Sequence, residues 1–139
     1  MFSDNARPQI LYVEDHEDTR EMVSIILGKN RFDVTTADTI VDGEQLLRAK
    51  HFDLYLLDRW LPDGDGLELA KTIRQSDPLT PIVFMSAVAF EHDRMESLEA
   101  GAQAYLIKPV APTDLLDVIS SLVKFDPTAS TPLSLSVAH

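Results

Sequence analysis

Asp58 closes an almost unbroken apolar run, Asp53-Leu-Tyr-Leu-Leu-Asp58, and Pro62, Gly64 and Gly66 turn the chain just beyond it. A carboxylate there is costly unless a cation, a donor set or a metal ion answers it, or its pKa rises. Four further groups end similar apolar runs. Glu14 and Asp15 follow Gln9-Ile-Leu-Tyr-Val13, Ser86 ends Pro81-Ile-Val-Phe-Met, and Lys108 follows Ala104-Tyr-Leu-Ile107. Three carboxylates brought together repel, at about 4 kcal/mol for two unit charges 4 Å apart at an effective dielectric of 20. The acids are hard oxygen ligands and His16 is the only nearby soft donor, so Mg²⁺ with retained waters is favoured over zinc. Lys108 and Ser86 suit an anion instead. A phosphoryl group bridging metal, Lys108 and Ser86 would use every one of these groups.

These side chains meet only if the runs that carry them are parallel strands. Each run leads into a helical pattern: Glu17 to Asn30 with Met22, Ile25 and Ile26, then a helix capped by Asp38 or Thr39 with Leu46 and Leu47, reaching about Lys50. Asp65 and Glu68 have capping-box spacing for a third helix bearing Leu67, Ala70 and Ile73, ended by Asp77-Pro78. A fourth, Phe90 to Ala100, is anchored by little more than Met95 and Leu98 and stops at Gly101; Pro112 opens a fifth, amphipathic through Leu115, Val118, Ile119 and Leu122, to about Lys124. Phe32 to Ala37 supplies the remaining strand. Five strand-helix units predict an α/β, doubly wound parallel sheet whose carboxyl ends gather on one rim.

The 139 residues, 45% hydrophobic and 25% charged, suit one soluble domain. The expected layout is an N-terminal extension over residues 1–8, a domain over 9–125 and a flexible tail over 126–139. Absence of cysteine excludes a disulfide framework, a thiolate zinc site and cysteine catalysis. No apolar run approaches the roughly 18 residues of a membrane span, and Met-Phe-Ser-Asp-Asn lacks the character of a signal peptide, so a cytoplasmic location is expected, without membrane insertion. A net charge of −11 disfavours direct nucleic-acid binding and suits divalent cations and basic partner surfaces.

From Gln9 to Lys124 the chain resembles the receiver domains of two-component response regulators, of the single-domain, chemotaxis-regulator-like type. The motifs are Glu14-Asp15, Asp58 with Leu61-Pro62 and Gly66, Ser86-Ala87, Tyr105, and Lys108-Pro109. The resemblance implies a five-stranded flavodoxin-like sheet, order 2-1-3-4-5, surrounded by five helices. It also implies that Asp58 is the phosphoacceptor for a sensor histidine kinase or histidine phosphotransfer protein. Asp15, Asp58 and the backbone carbonyl of Trp60 would hold Mg²⁺, with Glu14 acting through water; Lys108 would neutralise the phosphoryl oxygens, with a cis bond to Pro109. Ser86 and Tyr105 would be the switch, remodelling a face made by helix four, strand five and helix five for a downstream protein. Trp60, Ala87 and Val88 would form the site rim, and Trp60 and Val88 would slow self-dephosphorylation.

Other readings fit less well. Asp63-Gly-Asp65-Gly-Leu-Glu68 departs from a calcium loop at Leu67 and Glu68 and reads as a turn and helix cap. His16, His51, His92 and His139 share no metal spacing and read as solvated side chains. A phosphatase using an aspartyl-phosphate resembles Asp-x-Asp, where this chain has Trp60. The expected protein is therefore not an enzyme acting on external substrates, although it promotes its own Mg²⁺-dependent phosphorylation and dephosphorylation. A pseudo-receiver is disfavoured by intact Asp15, Asp58 and Lys108. The short segment after Lys124 predicts a stand-alone receiver, and the arginine-free fifth helix argues against the charged dimer face of DNA-binding relatives.

Overall fold

A computed structural model describes residues 7–123. Five strands form one parallel sheet: β1 Gln9–Val13, β2 Asp33–Ala37, β3 Leu54–Leu57, β4 Ile82–Ser86 and β5 Ala104–Ile107. Their spatial order is β2-β1-β3-β4-β5, as expected. Five helices complete the fold: α1 Glu17–Lys29, α2 Ile40–Ala49, α3 Gly66–Ser76, α4 Glu91–Glu99 and α5 Pro112–Val123. Between β3 and α3, where the sequence reads as a turn, Trp60–Leu61 pairs antiparallel with Gly64–Asp65 in a short ribbon. The expected tail over 126–139 and residues 1–6 of the expected extension lie outside the described residues.

The inner strands carry apolar residues on both faces, apart from Gln9 and Ser86 at strand ends, as helix cover on both sides requires. Alternation along them divides the core in two. Leu11, Leu57 and Phe84 face Leu69, Ala70 and Ile73 of α3, with Leu46 and Leu47 of α2 alongside. Ile10, Leu56 and Val83 face Val23 and Leu27 of α1 and Leu115 and Ile119 of α5.

Two helices bury a different stripe from the one predicted. α1 buries Val23 and Leu27, one turn apart on a single face, and leaves Met22 and Ile25 exposed. α4 buries Asp93 and Ser97 and leaves Met95 exposed; only Leu98 of its expected anchors packs against the core.

Helix starts are fixed by side chains. Thr39 accepts from Asp42 N–H at 3.1 Å, and the Asp63 carboxylate accepts from Ile40 and Val41 N–H at 2.8 and 3.1 Å. Asp63 therefore fastens the ribbon to α2, and these backbone bonds hold its carboxyl below the usual range. Asp65 caps α3 by accepting from Leu67 N–H at 2.9 Å, while Glu68 faces Lys71 rather than closing a capping box. His16, expected to be solvated, also accepts from Thr19 N–H and caps α1. Gly101, at φ +108, follows α4 as the expected stop.

Candidate functional site

Ladder hydrogen bonds carry the acids to one rim. Glu14 N–H donates to Ala37 O at 2.9 Å, and Asp58 N–H donates to Val13 O at 3.1 Å, so both acids leave the sheet at the same level. Lys108 N–H donates to Ser86 O at 2.9 Å, which sets β5 beside β4 at that edge; the Lys108–Pro109 peptide is cis. Behind Asp58, Gly66 N–H donates to Arg59 O at 2.6 Å. A Cβ on Gly66 would collide with the Asp58 carbonyl oxygen, so glycine is what lets α3 start this close to the acid.

Lys108 is the cation that Asp58 requires. Its Nζ lies 2.6 Å from Glu14 Oε1 and 3.0 Å from Asp58 Oδ2. Asp58 Oδ1 accepts from Arg59 N–H at 2.7 Å. Glu14, 1% exposed, also accepts from Tyr12 Oη–H at 3.3 Å and from His16 N–H at 3.1 Å. Burial and then the Glu14 charge push the Asp58 carboxyl up, against the charge and hydrogen bond of Lys108. Burial alone would lower the Lys108 ammonium; its bond to Glu14 and the charge of Asp58 carry it above its ordinary value instead.

Glu14, Asp15 and Asp58 each offer a carboxylate oxygen, all within 4.8 Å of one another. Glu14 and Asp58 are buried while Asp15 is exposed, so the cluster has a dry floor and an open side. Three carboxylates facing one ammonium leave excess negative charge on hard oxygens. This donor set fits Mg²⁺.

Ser86 is fully buried, and its Oγ accepts from Val88 N–H at 3.2 Å. Tyr105 Oη donates to Val88 O at 2.6 Å, and its ring packs 6.4 Å from Phe84. Burial raises the Tyr105 phenol, with a Ser86 hydrogen bond acting against it. The two expected switch residues thus meet at Val88. Trp60 is 52% exposed, Ala87 is exposed and Val88 half-buried.

One residue of this region was missed in the sequence. Arg59 is only 2% exposed and paired to Asp65, with Asp93 and Glu96 of α4 around it. Its hydrogen bonds to Asp65 hold the guanidinium pKa up against burial. The available signal was an arginine directly after a buried run, with Asp93, Glu96 and Ser97 at i, i+3 and i+4 spacing to receive it.

The sequence family of the response regulator receiver domain matches residues 10–120. The chain belongs to that family. Response regulator protein PilR of Pseudomonas aeruginosa is 34% identical over 119 residues, which cover 86% of this chain and 27% of PilR. Protein PetR of Rhodobacter capsulatus is 36% identical over 124 residues, covering 89% of this receiver and 52% of PetR. The receiver thus spans about half, or less, of these curated relatives. Among solved structures, a CheY-like receiver domain protein from Methanospirillum hungatei JF-1 superposes with a TM-score of 0.82 at 31% identity, over 86% of this chain and 95% of that one. The non-phosphorylated HemR receiver domain from Leptospira biflexa gives 0.81 at 33% identity, over 86% and 97%. Among the described residues, no helix is long and apolar enough to cross a membrane.

Proposed function

We propose that this receiver accepts a phosphoryl group on Asp58 from the phosphohistidine of a sensor histidine kinase or a histidine phosphotransfer protein. An Asp58 carboxylate oxygen attacks phosphorus, the P–N bond breaks, and the imidazole leaves with the electron pair, giving an acyl phosphate. The observation that carries this reading is the geometry at Asp58: one oxygen accepts from Arg59 N–H at 2.7 Å, and the other lies 3.0 Å from Lys108 Nζ. Lys108 then faces the incoming anion, and Ser86 offers it a hydroxyl. Asp15, Asp58 and the Trp60 carbonyl would hold Mg²⁺, with Glu14 acting through water; the ion supplies charge neutralisation between carboxylates and phosphoryl oxygens.

Ser86 and Tyr105 share Val88 as a partner, which supports a switch that alters the α4, β5 and α5 face presented to a downstream protein in the cytoplasm. The functional unit is taken as residues 9–125. Trp60, Ala87 and Val88 rim the site, and Trp60 and Val88 restrict water. Replacing Trp60 and Val88 together by small polar residues is expected to shorten the acyl-phosphate lifetime, measured by loss of radiolabel; an unchanged half-life contradicts that role.

Intact mass after incubation with acetyl phosphate, with and without Mg²⁺, tests the proposal. The expected result is a Mg²⁺-dependent gain of one phosphoryl group, absent in Asp58→Asn. No gain from acetyl phosphate or from a panel of phosphorylated kinases and phosphotransfer proteins would leave phosphorylation-independent partner binding as the better reading.

A further inference from the structure

Arg59 is among the largest fully buried side chains of the protein, and the phosphoryl chemistry above makes no use of its charge. Its guanidinium forms a two-point pair with Asp65, Nε to Oδ1 at 2.7 Å and Nη2 to Oδ2 at 2.9 Å. The remaining donors reach α4: Nη1 to Asp93 O at 3.0 Å and to Ser97 Oγ at 3.1 Å, and Nη2 to Glu96 Oε1 at 3.1 Å. The backbone of the same residue belongs to the phosphoryl site, because its N–H bonds Asp58 Oδ1 and its carbonyl accepts from Gly66.

This cluster holds the buried residues of α4, with Leu98 as its apolar contact to the core. α1, α2 and α3 each have a side-chain cap, whereas Phe90 supplies none to α4. The residues that α4 buries, Asp93 and Ser97, are both partners of Arg59. A helix seated by an apolar stripe can shift with small changes in packing. One seated on a buried guanidinium must break charge-assisted hydrogen bonds away from water in order to move.

We propose that Arg59 is a positioning residue that fastens α4 to the phosphoacceptor, binding the Asp58 carboxylate through its backbone and α4 through its side chain. This rests on Asp58 being the phosphoacceptor. Occupancy of Asp58 and placement of α4 are coupled through this one residue, by a route separate from Ser86 and Tyr105. Such coupling is reciprocal. Loosening the α4 side must therefore change binding at Asp58, although among the described residues no side-chain hydrogen bond joins Glu96 or Ser97 to Glu14, Asp15, Asp58 or Lys108.

The test uses beryllofluoride with Mg²⁺ as a phosphoryl mimic on the full chain, followed by fluorescence of Trp60, the only tryptophan, and by amide hydrogen exchange of α4. Two variants are compared with wild type: Arg59→Lys, and Glu96→Gln combined with Ser97→Ala, which keeps the arginine and guards against misfolding of the first. In both, half-saturation is expected to shift at least threefold from wild type, and the beryllofluoride-induced change in α4 exchange to fall by half or more. Val23→Ala, buried under α1 on the other face of the sheet, serves as a destabilised control and is expected to match wild type in both readouts. The proposal is overturned if the double variant keeps wild-type values in either readout, or if Val23→Ala shifts them equally. A wild-type protein that does not respond to beryllofluoride at all would sink the assignment of Asp58, and the coupling with it.

Discussion

Asp58 keeps its charge at a cost, because burial and Glu14 raise its pKa and Lys108 offsets only part of the rise. A raised folded pKa means that the resting protein loses stability as pH climbs from the ordinary value of 3.8 through that raised value. Asp58→Asn is therefore expected to raise Tm by about 2–6 °C at pH 7 in the absence of Mg²⁺. The gain should vanish well below pH 3.8, where the wild-type acid is protonated in both the folded and unfolded states. Thermal melts across that range check the sign, and a variant less stable than wild type at pH 7 would contradict it. Lys108→Met acts in the opposite direction, leaving Glu14 and Asp58 without their cation. The expected loss is about 2–3 kcal/mol by urea titration, below the cost of breaking a fully buried pair because part of Lys108 meets water. Mg²⁺ should recover part of that loss, since it answers the same charges.

At the scale of elements, the β3–α3 connection determines where the acid stands. Asp63 ties the ribbon to α2, Asp65 caps α3 and holds Arg59, and Gly66 brings α3 against the Asp58 carbonyl. Gly66→Ala must push helix and acid apart, with an expected cost of about 2–3 kcal/mol in stability. Acetyl-phosphate labelling should fall at the same time, because the displaced group is the phosphoacceptor. Stability and labelling measured on one preparation check both effects, and wild-type labelling in a destabilised protein would show that α3 does not position Asp58. α4 differs from the other helices in being seated by polar groups. Its apolar pattern was therefore sparse in the sequence: Met95 read as an anchor and is exposed, while the residues the helix buries are Asp93 and Ser97.

Across the whole molecule, the core layer beneath α1 and α5 contains positions outside the site. Ile119→Ala, beneath α5, is expected to cost about 2–4 kcal/mol through the cavity it leaves. Labelling of Asp58 at temperatures where the variant remains folded should be unchanged, and a matching loss there would mean that the α1 and α5 layer participates in the chemistry. The sequence by itself determined the five strand-helix units and the rim where Glu14, Asp15, Asp58, Ser86 and Lys108 gather, because period, run length and turn residues are local properties and parallel strands deliver their carboxyl ends together. It could not determine which stripe of α1 faces the sheet: Met22 and Ile25 are as apolar as Val23 and Leu27, and only the approach of β1 and β3 decides between them. Nor could it show Arg59 at the centre of a buried cluster. That arginine's partners lie 6 to 38 positions away in the chain, and only tertiary packing brings Asp65, Glu96 and Ser97 to one guanidinium.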